Sequence, residues 1–100
     1  MENLTAFQRD ILCVVAGMDE PHGLAIKAEL EDYYEGDINH GRLYPNLDEL
    51  VEEDLLDKGS HDQRTNCYTI TDDGRQSLEQ RRRWESGYLS DIDQLNTATP

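Results

Sequence analysis

Residues 39–55 read NHGRLYPNLDELVEEDL. Leu43, Leu47, Leu50 and Val51 recur at helical spacing and form one apolar stripe, while Arg42, Asn46, Glu49 and Glu53 fall opposite it. The stretch therefore reads as an amphipathic helix with one buried side. Asn39 supplies a cap, because its side-chain oxygen can accept from an orphan backbone N–H of the first turn. The outward side of the first two turns then offers Arg42, Tyr44 and Asn46. Arg pairs bidentately with guanine and Asn with adenine in a major groove, and a four-residue spacing projects both the same way. Asn39 and His40, at the helix start, fall where a phosphate backbone would pass. Pro45 lies in the second turn, where it lacks an N–H and crowds the carbonyl of Gly41, so a distorted or later helix start is expected.

Upstream, residues 4–17 predict a first helix with Phe7, Ile11, Val14 and Val15 on one face, Thr5 as cap and Gly17 as stop. Pro21-His22-Gly23 opens a second helix through about residue 34, with Ile26, Leu30, Tyr33 and Tyr34 on its apolar side and Lys27 exposed. A helix start presents free N–H groups and the positive end of its dipole. His22, Gly23 and Lys27 are thus candidate contacts to a nucleic-acid backbone, with a local capping role for His22 as the alternative. Residues 35–38 make the turn into the third helix.

Downstream, residues 55–58 and 67–71 predict two short strands around a polar loop. Lys58, Ser60, His61, Gln63, Arg64 and Asn66 can reach a phosphate backbone or minor groove. Arg64 is the preferred one, since a narrow groove concentrates negative potential; a solvated hairpin tip is the alternative. Thr71 caps a long last helix whose first turn holds Asp72 and Asp73, where the dipole favours them. Leu78, Trp84, Tyr88, Ile92 and Leu95 form a stripe that a single domain leaves uncovered, which predicts pairing with a second copy of the chain. Arg81-Arg82-Arg83 points around this helix, so pairing with Glu79 or Glu85 is preferred over nucleic-acid binding. The expected division is 1–71 for the first unit and 72–100 for the dimerisation helix and tail.

Several of these pieces resemble one family. Gly41-Arg42-Leu43-Tyr44-Pro45-Asn46-Leu47-Asp48-Glu49-Leu50 is similar to the G-x-x-Y-P-x-L-x-x-L signature of PadR-type winged helix-turn-helix transcriptional regulators. Pro21-His22-Gly23 resembles their P-H-G, Asp54-Leu55-Leu56 their G-L-I, and residues 68–74, YTITDDG, their Y-x-L-T-x-x-G. The resemblance spans roughly residues 4–84. In this chain Leu24 stands in place of the family's Tyr, Asp54 in place of Gly, and Gln63-Arg64-Thr65-Asn66 in place of a more basic wing. The resemblance implies an α+β, mainly α fold: three helices and a two-stranded β wing, followed by a C-terminal dimerisation helix. It further implies a homodimer that places the third helix in the major groove of a near-palindromic operator.

The charge balance opposes that reading at ordinary salt. Nine Lys and Arg stand against 22 Asp and Glu, a net charge of -13, whereas phosphate neutralisation by cations normally supplies most non-specific affinity. Abundant carboxylates, only two lysines and 36% hydrophobic residues resemble proteins of extreme halophiles. Molar salt shrinks the Debye length to about 3 Å, so long-range rejection of DNA fades and direct contacts decide. Bound K⁺ or Na⁺ on the acidic surface, at residues such as Glu49, Glu53 and Asp62, is then expected.

Other classes find less support. An enzyme is disfavoured, because His22, His40 and His61 lie in separate elements without ligand spacing and no cofactor or metal motif is present. A winged-helix protein-interaction module without DNA binding is the alternative, against which Arg42 and Asn46 argue. Cys13 and Cys67 have no metal-type spacing and are expected as buried thiols, with a redox role the lesser option. The longest apolar run, residues 11–16, is too short to span a membrane, so a cytoplasmic protein is expected.

Overall fold

A computed structural model describes residues 4–60 and 65–98, with side chains through residue 90. Its elements run α1 (Ala6–Gly17), α2 (Gly23–Tyr34), α3 (His40–Glu52), β1 (Leu56–Ser60), β2 (Asn66–Ile70) and α4 (Asp72–Ala98).

Each helix starts where a side chain satisfies its first N–H groups. Thr5 and Gln8 form a reciprocal capping box at α1, His22 Nδ1 accepts from the Ala25 N–H at α2, and Asn39 Oδ1 accepts from the Gly41 N–H at α3. Such caps are each worth about 0.5–2 kcal/mol. Helix α3 begins at His40 directly after its cap and runs through Pro45. The delayed start expected from Pro45 does not occur. Proline deletes a single helical bond, to the carbonyl of an exposed glycine, Gly41, which can face solvent.

Three apolar faces meet in one core. Ile11, Leu12 and Val15 of α1, Ile26 and Leu30 of α2, and Leu43, Leu47 and Leu50 of α3 are at most 2% exposed. Burial of each contributes about 1.5–3 kcal/mol. The turn between α2 and α3 is held by Glu31, whose carboxylate accepts from Lys27 Nζ and from the Ile38 N–H, both at 2.8 Å. Tyr33, expected on the apolar side of α2, is 73% exposed, and Tyr34 reaches only the rim of the core, where it stacks on Phe7.

At its end α3 passes through Asp54 at φ 61°. The Leu55 N–H bonds to the Leu50 carbonyl and the Asp54 N–H to the Val51 carbonyl, both at 3.0 Å. That pattern is a Schellman cap, whose left-handed position favours glycine. The chain then enters an antiparallel pair, with Leu56 opposite Ile70 and Ser60 opposite Asn66. The pair is stitched to the start of α2 by a bridge between His22 and Cys67 and by the Tyr68 N–H donating to the Pro21 carbonyl at 2.9 Å. Pro21-His22-Gly23 thus serves as both a helix start and a third, one-residue strand.

Thr71 begins α4. Its hydroxyl accepts from the Gly74 N–H at 3.0 Å and donates to the Asp54 carbonyl at 2.7 Å. Leu78, read as an interface residue, packs against the core of its own chain and stays partly exposed. Beyond it Trp84, Tyr88 and Leu89 are 55%, 73% and 43% exposed. Leu89 stands outside the expected stripe, whose Ile92 and Leu95 belong to α4 but have no described side chains. Arg81 pairs with Glu85 at 3.7 Å and lies over the Trp84 ring, as the salt-bridge reading of the arginine triplet had it.

Candidate nucleic-acid interface

Helix α3 presents a ridge of Gly41, Pro45, Asp48, Glu49 and Glu52 to solvent, with Leu43, Leu47 and Leu50 beneath it. Successive residues are about 100° apart around a helix, so Arg42 and Tyr44 fall on opposite flanks of this ridge. On the flank towards the strands, Tyr44 is half-buried. It stacks on His40 with ring centroids 5.5 Å apart, and its hydroxyl lies 2.5 Å from where a Cβ on Gly23 would stand. Gly23 is buried beneath Tyr44 and is a packing position. A cleft of about 280 Å³ opens here, lined by His22, Leu24, Tyr44, Asn66 and Tyr68 among others.

On the other flank Arg42 and Asn46 lie against α1. The Arg42 guanidinium sits 3.9 Å from the centroid of the Phe7 ring, and the residue stays exposed. Asn46 is half-buried. Its Oδ1 accepts from Gln8 Nε2 at 3.1 Å, and its Nδ2 donates to the Arg42 carbonyl at 2.7 Å. The expected solvent-facing trio of Arg42, Tyr44 and Asn46 is thereby divided: only Arg42 is exposed, and Tyr44 and Asn46 are partly covered from two sides. The contacts with Phe7 and Gln8 come from a helix more than thirty residues upstream, and spacing within α3 carries no sign of them.

The candidate backbone contacts are similarly placed. His22 and Asn39 are exposed caps at the starts of α2 and α3, and His40 is exposed. Lys27, expected exposed, is half-buried and tied to Glu31. Lys58 on β1 lies 3.8 Å from Asp48 of α3, which joins the strand pair to the ridge. Ser60 ends β1; Gln63 and Arg64, with His61 and Asp62, lie outside the described residues. Tyr34 donates a very short hydrogen bond to Asp10. Partial burial, then that bond, push its hydroxyl up to about 12.

Cys67 is buried but Cys13 is exposed, which corrects the expectation of two buried thiols. Cys13 faces a groove of about 530 Å³ between α1 and α4 that also holds Arg9, Arg81, Arg82, Asp10, Glu79 and Glu85. Arg9 stands one helical turn before Cys13 in α1, whereas Arg81 and Arg82 come to the same groove only through folding. Among the described residues no three His, Cys, Asp or Glu side chains gather as metal ligands, and no helix is long and apolar enough to cross a membrane.

A helix-turn-helix whose second member is α3, flanked by an antiparallel strand pair, defines a winged helix. Residues 11–80 match the transcriptional regulator PadR-like family, and the chain belongs to it. Among solved structures, the complex hsRosR-S1 is 44% identical with a TM-score of 0.87, covering 97% of this chain and 87% of that one. RosR of H. salinarum, from crystals grown in NaBr, is 42% identical with a TM-score of 0.85 over 96% of this chain and 90% of that one. F93 from STIV, a winged-helix DNA-binding protein, shares the fold at 19% identity and a TM-score of 0.71, covering 83% of this chain and 90% of that one. No curated protein matches the chain.

Proposed function

We propose that the chain is a DNA-binding transcriptional regulator of the cytoplasm that acts as a homodimer on near-palindromic operators at molar salt. The observation that carries this reading is the exposed, capped start of α3, with His40 and Arg42 outward and the strand pair held beside it through Lys58 and Asp48. Helix α3 enters the major groove with Arg42 as the leading base-reading residue. Tyr44 and Asn46 take part once their intramolecular contacts yield. His22, Asn39, His40 and Lys58, with Ser60, Gln63 and Arg64 of the wing and Lys27 in support, meet the backbone or minor groove, while Gly23 serves by letting Tyr44 pack over it. The exposed aromatic side chains of α4, Trp84 and Tyr88, join two copies.

The ridge of α3 carries Asp48, Glu49 and Glu52, and the chain bears a net charge of -13. Such a face repels phosphate unless its field is screened to a few ångströms. K⁺ or Na⁺ held between carboxylates such as Glu49 and Glu53 and the phosphates completes the interface in this reading. Two measurements test it together: sequencing of DNA recovered from a random pool, and affinity for the selected site from about 0.3 to 2 M KCl. A flat or rising affinity is expected, and a cost of about 1–3 kcal/mol for Arg42→Ala that falls on particular base pairs. A steep loss with salt contradicts the halophilic interface. Absence of any selected sequence favours the protein-interaction module.

A further inference from the structure

Gln8 is the one buried polar side chain among the described residues, 5% exposed. It is also the point where α1 grips α3. Its Oε1 accepts from the Thr5 N–H in the capping box, while its Nε2 donates to Asn46 Oδ1 and to Glu49 Oε2, each bond 3.1 Å long. A primary amide has two N–H donors, and both are used. The amide cannot be reversed without placing its oxygen against two acceptors and its nitrogen against the donor of Thr5.

Its orientation fixes the next one. With Asn46 Oδ1 turned to Gln8, Asn46 Nδ2 is left to the Arg42 carbonyl in the preceding turn of α3. A single direction of hydrogen bonding therefore runs from the cap of α1 to the first turns of the recognition helix. Adenine is read by an Asn that offers one donor and one acceptor together. Asn46 cannot present that pair while its oxygen is held by Gln8. Glu49 is drawn towards α1 by the same nitrogen, which sets where its carboxylate stands on the exposed ridge.

We propose that Gln8 is a positioning residue that sets the base preference of α3 by fixing the direction of the Asn46 amide and the place of the Glu49 carboxylate. This rests on the DNA-binding reading above. Gln8→Glu isolates the effect, since glutamate keeps the acceptor for Thr5 and serves a capping box well. It exchanges the two donors for a carboxylate facing Glu49. Adding Glu49→Gln returns a donor and acceptor to the pair with their roles exchanged.

The test compares wild type, Gln8→Glu and the Gln8→Glu/Glu49→Gln pair by sequencing DNA bound from a random pool in molar KCl. It is run alongside thermal unfolding and the side-chain amide resonances of Asn46 in DNA-free protein. Gln8→Glu is expected to change preference about tenfold at a base pair under α3, within what one bidentate contact discriminates. It should shift the Asn46 amide without loss of fold; the pair relieves the repulsion at position 49 but still sets an acceptor against Asn46, so the altered preference and the Asn46 shift should persist in it. Gln8→Met, of similar volume, should shift the same base pair should the glutamate fail to fold. Unchanged preference in a folded variant, or a return of the wild-type preference in the pair, overturns the proposal. A wild-type protein that selects no sequence overturns the DNA-binding reading instead. The Asn46 resonances then decide the link to Gln8 alone, which falls if they are unmoved.

Discussion

Gly74 and Gly87 occupy the same helix, and the same substitution should act on them with opposite sign. By helix propensity alone, alanine at either position is favoured by about 0.5–1 kcal/mol. At Gly87 a Cβ meets nothing within 4 Å, so Gly87→Ala should gain that full amount. At Gly74 a Cβ would collide with the Leu55 carbonyl and stand 2.7 Å from Ile70 Cγ1. The carbonyl cannot easily retreat, because it accepts from the Thr71 N–H at 3.2 Å and lies next to the first residue of β1. Overpacking against such a neighbour costs about 1–3 kcal/mol. The net for Gly74→Ala is thus a loss of about 1–2 kcal/mol, equivalent to about 5–15 °C in melting temperature for a domain of this size. Thermal unfolding followed by circular dichroism in molar KCl, at one protomer concentration because association shifts the midpoint, measures both. Equal stabilisation by the two alanines would refute the collision and with it the reason for glycine in the YTITDDG stretch.

Asp54→Gly should stabilise by about 0.5–1 kcal/mol in denaturant titration, since Asp54 holds a left-handed backbone that costs a residue with a Cβ. Glu31 has its carboxyl held below the ordinary value of 4.5, first by the Lys27 ammonium and next by the Ile38 N–H. A depressed carboxylate stabilises the fold above its unfolded value and loses that contribution as pH falls through the folded one. Glu31→Gln should therefore flatten the decline in stability below about pH 4.5 relative to wild type, and parallel curves would remove Glu31 from the acid response. Trp84→Glu with Tyr88→Lys should leave the winged helix folded but monomeric by sedimentation and weaken operator binding by about tenfold or more, because the second half-site no longer binds intramolecularly; a wild-type monomer at micromolar concentration would sink the dimer.

Much of the fold was legible because the signals that start and stop its elements are local. Thr5, Asn39 and Thr71 announce three helix starts through the reach of a short polar side chain to a backbone N–H two or three residues on. The stripe of Leu43, Leu47 and Leu50 announces which side of α3 is buried. The order of these pieces, with Pro21-His22-Gly23 ahead of them and YTITDDG behind, sufficed for the winged helix and its family. The acidic composition sufficed to raise the salt question.

What lay beyond the sequence is the covering of the flanks. Periodicity gives each residue an angle about its own helix axis, but which neighbour stands at that angle depends on how distant elements pack. Arg42 and Asn46 therefore read as free partners four residues apart, whereas Phe7 and Gln8 of α1 reach both. Tyr44 meets Gly23 on the other side, Leu78 turns into its own core, and Cys13 shares a groove with Arg81 and Arg82, more than sixty residues along the chain. In each case the deciding contact joins residues that are remote in sequence. Tertiary packing alone brings them within hydrogen-bonding or van der Waals range.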